Sequence, residues 1–340
     1  MSDKPKKIEK QPKISPTQPI LSRREFIRDL TVTSGIATSI GMGGWLAYSN
    51  EPIRRQPETI HRLRDFRVPA TNLHPTLAVV RGNDVERMTR EAVTRLGGIE
   101  RFIKRGDKVL LKPNVGWDRQ PEQAANTGPE LVAAMVRLCR EAGAQAVWVT
   151  DHSLNDPARC FFRSGIEAAV TKAGGEIRLP REEDFLRTDM AGTVLKIWPV
   201  SRYFHEADKV INLPIVKHHS LCGCTLAMKN WYGVIGGTRN RLHQDIHASI
   251  VDLAAAVRPT LTIMDATRVL KRNGPTGGSI ADVARGNTLI AGLDEVAIDA
   301  FSLQFLDLQP DTVRFLAMGE ERGLGRVRWQ DLNLSQTQVG

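Results

Sequence analysis

The densest group of chemically active side chains lies between Asn212 and Gly237, in the segment NLPIVKHHSLCGCTLAMKNWYGVIGG. Groups that can bind a metal, an anion or a proton fall within its first nineteen residues: Lys217, His218, His219, Cys222, Cys224, Lys229 and Asn230. Imidazole and thiolate groups are the usual ligands of zinc, iron and copper. A lysine removed from water can bind an anion or act as a base. The segment therefore predicts either a metal site or a polar pocket for a small molecule.

A second pair of histidines follows this segment. His243 and His247 are four residues apart at the start of a predicted helix, a spacing that puts both imidazoles on one helical face. The cofactor would be a transition metal or an iron–sulfur cluster, and the candidate ligands are His218, His243, Cys222, Cys224 and His247. The Cys-Gly-Cys spacing differs from the CxxC of zinc ribbons and cannot complete a four-ligand site alone. A polar substrate pocket without a metal is the equal alternative.

The elements that must position these groups alternate between strand and helix from Thr76 onward. Apolar runs such as Val109-Leu110-Leu111 are typical of strands covered on both faces. The alternation predicts an α/β fold, a mostly parallel (mixed) sheet with helices on both faces, in a single domain. We assign this domain to residues 76–325, a linker or arm to residues 50–75 and a polar tail to residues 326–340.

Polar side chains follow four of the predicted strands, at Lys112, Asp151, Asn212 and Asp265. Ligands bind at the carboxyl ends of the strands in open parallel sheets, so these positions predict one shared rim. The candidates for catalysis are Lys112, Asp151, Lys217, Lys229 and Asp265, and those for substrate binding are Asn114, Asn212, Asn230, Arg268 and Gly277.

The N-terminal 49 residues carry an export signal. Ser22 to Arg28 reads SRREFIR, with the arginine pair Arg23-Arg24 followed by an aromatic residue, an aliphatic residue and a base, and an uncharged run follows from Leu30. This predicts a twin-arginine signal, export by the twin-arginine translocation machinery and a periplasmic location. The cleavage site is weak, so an uncleaved N-terminal membrane anchor is the alternative. Because this route exports folded chains, it favours a cofactor inserted in the cytoplasm.

The charge balance argues against a nucleic-acid partner. The chain of 340 residues carries a formal net charge of +9. Residues 1–49 hold eight Lys/Arg and four Asp/Glu, which leaves +5 on the remainder. No basic patch interleaved with aromatic residues is visible, so we expect no nucleic-acid binding.

The order of the motifs resembles the DUF362 proteins, a family named for having no assigned function. The resemblance covers most of residues 76–310. It rests on Lys112-Pro113-Asn114, Thr127-Gly128-Pro129, Gly143-Ala144, Asp151, Asn212-Leu213-Pro214, Lys217-His218, Thr225, Lys229-Asn230, Gly233, His243, Asp265, Gly274-Pro275, Gly277 and Asp294 to Asp299. Family members often carry a ferredoxin-like segment for two four-iron clusters, but this sequence has no C-x-x-C-x-x-C run. The resemblance implies a fold and a shared site, without a reaction.

These observations predict an exported DUF362-type protein that acts as a metal- or cofactor-dependent enzyme on a small anionic substrate. Two alternatives stay open at this point. One is an iron–sulfur or thiol redox accessory protein that uses Cys222 and Cys224. The other is a non-catalytic periplasmic protein that binds a small molecule or a metal.

Overall fold

The computed structural model describes residue 24, residues 59–69 and residues 71–340. The chain divides into two units, Met1–Glu58 and Thr59–Gly340. Arg23 and the rest of the predicted signal, Arg24 excepted, lie outside the described residues. None of the helices in the described part of the chain is both long and apolar enough to cross a bilayer.

The second unit is built on twelve strands in the described residues. They are β1 (Leu77–Arg81), β2 (Lys108–Pro113), β3 (Ala146–Val149), β4 (Glu176–Ile177), β5 (Phe185–Asp189), β6 (Ile197–Ser201), β7 (Lys209–Leu213), β8 (Ile215–His219), β9 (Gly223–Thr225), β10 (Leu261–Leu270), β11 (Val283–Gly292) and β12 (Leu334–Gln338).

Several helices begin at residues whose type suits a helix N-terminus. Asp84 accepts from the Arg87 N–H at the start of the first helix, and Pro129 occupies the first turn of the second, where no N–H is needed. The helices are α1 (Val85–Arg95), α2 (Pro129–Glu141), α3 (Pro157–Arg163), α4 (Ile166–Ala173), α5 (Tyr203–Glu206), α6 (Ala227–Asn230), α7 (Ile246–Val257), α8 (Glu295–Ser302) and α9 (Arg314–Glu321).

The main sheet is mixed and has the order β12-β1-β11-β10-β7-β2-β3-β4. Strands β10, β7, β2, β3 and β4 are parallel neighbours, whereas β11 is antiparallel to both β10 and β1. Strand β8 pairs with β10 and forms an antiparallel hairpin with β9, and β5 and β6 form a separate small sheet. The carboxyl ends of β2, β3 and β7 therefore meet at one edge of the sheet.

Alternate residues of the central strands face two apolar cores. On β2, Leu110 joins one core, whereas Val109 and Leu111 join the other. Helices α1, α2 and α4 contribute to the core of Val109, and α7, α8 and α9 contribute to that of Leu110. The predicted mostly parallel, mixed sheet with helices on both faces of a single domain is confirmed.

Two segments predicted to lie outside the domain are part of it. The tail contains β12, which pairs in parallel with β1 and sets Leu334 opposite Leu77. In the predicted arm, Phe66 is 2% exposed within the apolar core, and His61 bridges to Thr188 of β5. Both segments are polar, and both are held in the domain by contacts with strands that are distant in the sequence. Local sequence patterns do not reveal such contacts.

Candidate functional site

A cavity of about 280 Å³ opens where β2 and β3 end and the β8–β9 hairpin passes. Seven of the predicted site residues line it: Lys112, Asn114, Asp151, Lys217, Lys229, Asn230 and His243. The rule that ligands gather at the carboxyl ends of parallel strands thus places part of the predicted set in one space.

An ion pair forms the floor of the cavity. Lys112 Nζ lies 2.7 Å from Asp151 Oδ1, and both side chains are almost fully buried. The lysine hydrogen bonds go to Pro113 O (2.8 Å) and Asn230 Oδ1 (3.1 Å), while Asp151 Oδ2 accepts from Val115 N–H (2.6 Å). Burial lowers the pKa of Lys112, and the charge of Asp151 opposes that shift.

Lys217 is fixed at the side of the cavity by two acceptors. Its Nζ donates to Asn114 Oδ1 (2.9 Å) and to Ala125 O (2.5 Å). Burial lowers the pKa of Lys217 to about 7, and the charges of Lys229 and Lys112 add to the shift against the attraction of Asp151. Near neutral pH this amine can therefore both give and take a proton.

Lys229 differs from the other two lysines because its Nζ has no hydrogen-bond acceptor among the described residues. The residue is 6% exposed, and within the described part of the chain Nζ has no hydrogen-bond acceptor or carboxylate partner. Nζ lies 4.2 Å from the centre of the Tyr232 ring. Burial lowers the pKa of Lys229. A buried ammonium that lines a cavity without an acceptor is a group that a bound anion would satisfy.

The pairing of β8 with β9 determines which side chains of the segment Asn212–Gly237 reach the cavity. Lys217 pairs with Thr225 and His219 with Gly223, whereas His218 pairs with Cys224 between them. Neighbouring strand residues face opposite sides, so Lys217, His219 and Thr225 line the cavity and His218 does not. The Thr225 hydroxyl is buried and has no hydrogen-bond partner among the described residues.

Of two neutral histidines that line the cavity, one has a free imidazole acceptor and the other a free imidazole donor. His152 Nδ1 lies 2.8 Å from Ile235 O, which can only accept, so this nitrogen carries the proton and Nε2 keeps a lone pair. His219 Nδ1 accepts from Leu221 N–H (3.2 Å), so its Nε2 carries the proton. Burial lowers the pKa of both rings, that of His219 to about 3. The site thus has one imidazole acceptor and one imidazole donor at neutral pH.

The five predicted metal ligands are not brought together. His218 Nδ1 accepts from Gly274 N–H (3.2 Å), and burial raises the pKa of the Cys222 and Cys224 thiols, which keeps both protonated. His243 belongs to a 3₁₀ segment that ends before α7 begins at Ile246, so the one-face spacing with His247 does not apply. No three His, Cys, Asp or Glu side chains in the described residues are grouped to hold a metal ion. The predicted ligand set does not fit a metal here.

Four further predicted residues lie away from the cavity. Asn212 is beneath it, donating to Glu295 Oε1 (2.6 Å) and accepting from Asn230. The carboxyl group of Asp265 accepts from Gly128 N–H (2.8 Å) at the start of α2 and from Thr267. Arg268 pairs with Glu130 in a separate, open depression of about 940 Å³, and Gly277 packs beside Leu270.

Several lining residues were not among the predicted site residues: Trp117, His152, Thr225, Tyr232 and Arg239. Arg239 donates to His152 O (2.7 Å) and Ser153 O (3.0 Å), which ties its loop to the end of β3. His152 directly follows Asp151, so the strand-end rule was a signal for it. For Arg239, the first residue of the 3₁₀ segment Arg239–Asp245, no sequence signal existed.

Comparison with known proteins gives matches of two strengths. A family model described as "Domain of unknown function (DUF362)" matches residues 109–304. A thylakoid-associated protein of Synechocystis sp. is 30% identical over 250 residues, which cover 69% of this chain and 74% of that protein.

Similarity to solved structures is much weaker. The lactate racemase apoprotein from Thermoanaerobacterium thermosaccharolyticum is 11% identical with a TM-score of 0.39 over 73% of this chain and 61% of that one. A Thermotoga maritima protein is 11% identical with a TM-score of 0.35 over 71% and 60%. The chain spans about three fifths of these two proteins, and likeness at this level carries no argument about the site. The family match and the cyanobacterial relative together show that the chain belongs to the DUF362 family.

Proposed function

We propose that this DUF362 protein binds a small oxyanion in the lysine-lined cavity and moves a proton to or from it with Lys217. The observation that carries the proposal is Lys229, a buried ammonium at the cavity with no acceptor among the described residues. Burial lowers the pKa of this amine by disfavouring its charged form, and an anion in the cavity would favour the ammonium again.

The charge balance of the lining supports an anionic ligand. Lys112, Lys217, Lys229 and Arg239 line the cavity, against the single carboxylate of Asp151. Asp151 compensates Lys112, which leaves the other cations without a carboxylate in the lining. Since electrostatic interactions are strong where water is excluded, an oxyanion would gain from this surplus.

The size and polarity of the cavity support a short ligand. The volume of about 280 Å³ is just below the roughly 300–1,000 Å³ that is typical of ligand pockets. The donors available to an oxyanion are Lys229 Nζ, the Thr225 hydroxyl and His219 Nε2–H. A short carboxylate or a single phosphate group matches this set of donors.

Lys217 supports a chemical role in addition to binding. An amine whose pKa is about 7 is divided between its two forms near neutral pH, which is the condition for efficient general acid–base catalysis. The lone pair of His152 Nε2 is a second proton acceptor at the cavity. No step is assigned to a metal, because the predicted ligands diverge.

A non-catalytic binding protein is the second candidate. It is favoured by the two acceptors of Lys217, Asn114 Oδ1 and Ala125 O, which hold an ammonium as a fixed charge. The two candidates share the anion site and differ only in whether Lys217 exchanges a proton with the ligand.

Titration calorimetry with sulfate, phosphate, acetate and pyruvate tests the anion site. We expect at least one of them to bind the wild type, and Lys229→Met to weaken that binding at least about tenfold. Lys172→Met, which removes an exposed lysine of α4, is the matched control and should leave affinity unchanged. Equal affinities of wild type and Lys229→Met would show that Lys229 does not bind the anion.

We also propose that the chain is exported by the twin-arginine route. The support is the SRREFIR motif with its arginine pair and the uncharged run that follows it. Export of a folded chain suits a site whose parts come from distant segments, because the cavity would cross the membrane already assembled.

A further inference from the structure

Three asparagines link the cavity to a buried carboxylate. Lys217 Nζ donates to Asn114 Oδ1 (2.9 Å), and Asn114 Nδ2 donates to Asn230 Oδ1 (3.0 Å). Asn230 Nδ2 then donates to Asn212 Oδ1 (2.8 Å), and Asn212 Nδ2 donates to Glu295 Oε1 (2.6 Å). Every hydrogen bond in this relay donates in the same direction, away from the cavity and toward Glu295.

The two ends of the relay fix that direction. Burial raises the pKa of Glu295, while hydrogen bonds from Trp231, Asn212 and Thr262 and the charge of Arg258 oppose that shift and favour the carboxylate. An ammonium group has donors only and a carboxylate has acceptors only, so each amide must turn its oxygen toward the lysine and its NH₂ toward Glu295. Trp231 Nε1–H (2.9 Å) and Thr262 Oγ1–H (2.9 Å) also donate to the Glu295 oxygens. Glu295 and Asn212 are both buried, so water does not compete for these bonds.

The orientation matters because the same amide oxygens receive the cavity lysines. Asn230 Oδ1 accepts from Lys112 Nζ (3.1 Å) as well as from Asn114. A rotation of either amide by half a turn would place NH₂ against ammonium, donor against donor. Aligned bonds in a low-dielectric interior polarise one another, so a negative charge at the far end strengthens the acceptors at the near end.

We propose that Glu295 is a positioning residue for the anion site, which acts through Asn212, Asn230 and Asn114 to hold Lys217 and Lys112 as hydrogen-bonded ammonium groups. Glu295 does not line the cavity. This inference rests on the proposed anion-binding function. A carboxylate that served only to satisfy Trp231 and Thr262 would contribute to stability and leave the protonation of Lys217 unchanged.

The test uses sulfate and acetate, whose charges are constant between pH 6 and 9. Affinity for the tighter of the two is measured by calorimetry across this range for wild type, Glu295→Gln, Asn212→Leu and Thr262→Val. Glu295→Gln removes the charge at nearly constant shape, and Asn212→Leu interrupts the relay while keeping the charge. Thr262→Val removes a donor to the same carboxylate outside the relay and is the matched control.

We expect Glu295→Gln and Asn212→Leu to move the midpoint of the affinity profile to lower pH by about half a unit or more. Both should lose at least about fivefold in affinity at pH 7.5, while Thr262→Val keeps the wild-type midpoint. If the midpoint shifts in Glu295→Gln but not in Asn212→Leu, the charge of Glu295 acts on the lysines through space and not through the asparagines. If the midpoint shifts equally in Thr262→Val, any disturbance of the packing around Glu295 has the same effect. Either result overturns the relay.

The variants also separate this inference from the proposed function. If the wild type binds and Glu295→Gln binds with the same midpoint, the relay fails while the anion site stands. If the wild type binds no anion, both fall together. If thermal unfolding shows that Glu295→Gln does not fold, the midpoints of Asn212→Leu and Thr262→Val are compared instead. The relay then requires a shift in Asn212→Leu and none in Thr262→Val.

Discussion

The backbone of Gly233 passes directly over the Oδ1 atom of Asp151. A Cβ atom added at position 233 would lie 1.6 Å from that oxygen and 2.8 Å from Lys112 Nζ. Only glycine leaves room for the loop to cover the buried ion pair at this distance, and this cover helps close the cavity around the pair.

Gly233→Ala should therefore disturb both the ion pair and the cavity. Because backbone or carboxylate must move, we expect a loss of roughly 1–3 kcal/mol in the free energy of unfolding, measured by urea denaturation, together with weaker anion binding. Gly116→Ala is the control, because its Cβ would meet Leu154 at 3.5 Å and Asn114 Oδ1 at 4.0 Å on the rim of the same cavity, and both are ordinary van der Waals contacts. If the two variants behave alike, close approach at Gly233 is not a constraint.

The lowered pKa of Lys217 predicts how stability depends on pH. Between pH 7 and the ordinary lysine range, the folded chain binds fewer protons at this residue than the unfolded chain does, so its contribution to stability rises with pH. The free energy of unfolding of wild type relative to Lys217→Met should increase by up to about 1.4 kcal/mol per pH unit above pH 7.

Comparing the two proteins at each pH removes the opposing effect of the buried thiols, whose raised pKa values weaken folding at higher pH in both. Urea unfolding at pH 6, 7, 8 and 9 measures the difference. A difference that stays constant across this range would contradict the pKa assigned to Lys217.

His218 and His243 should respond oppositely to replacement by alanine. His218 lies outside the cavity and accepts from Gly274 N–H, so its loss should lower the free energy of unfolding by about 1 kcal/mol and spare anion affinity. His243 is exposed and lines the cavity, so its loss should spare stability and weaken binding severalfold. Calorimetry and thermal unfolding of the two variants are to be compared, and the reverse pattern would contradict the placement of His218 outside the cavity and of His243 in its lining.

Export should depend on the arginine pair. Arg23→Lys combined with Arg24→Lys should leave the protein in the cytoplasm, since the signal requires arginine specifically. Lys6→Arg with Lys7→Arg makes the converse exchange upstream and should not affect export. Cell fractionation gives the measurement, and normal periplasmic accumulation of the first variant would refute the signal.

The sequence predicted the strands and helices of the sheet better than the side chains of the site. The strand predicted at Val109-Leu110-Leu111 lies within β2, because its apolar run is local information. Strand-end polarity correctly brought Lys112 and Asp151 together. It could not show that β10 continues to Leu270, which puts Asp265 in the middle of the strand, or that the Asp265 carboxyl group accepts from Gly128 and Thr267.

The hairpin accounts for the largest error in the site. The run Lys217-His218-His219 looks like one cluster in the sequence, but pleating of β8 sends the middle residue to the other side. The two-residue period is visible only once the segment is known to be a strand. Cys222 and Cys224 were misjudged for a related reason, because burial, which keeps their thiols protonated, has no local signature.

Strand β12 has a practical consequence for handling the protein. Its outward edge is polar, LSQTQ, and it covers the apolar strand β1, LAVVR. Trimming the chain before Leu334 would bare a row of unpaired N–H and C=O groups along a hydrophobic strand, which is a template for another molecule. We therefore expect residues Leu334–Gln338 to protect against self-association, and a chain trimmed before them to precipitate although its cavity is intact.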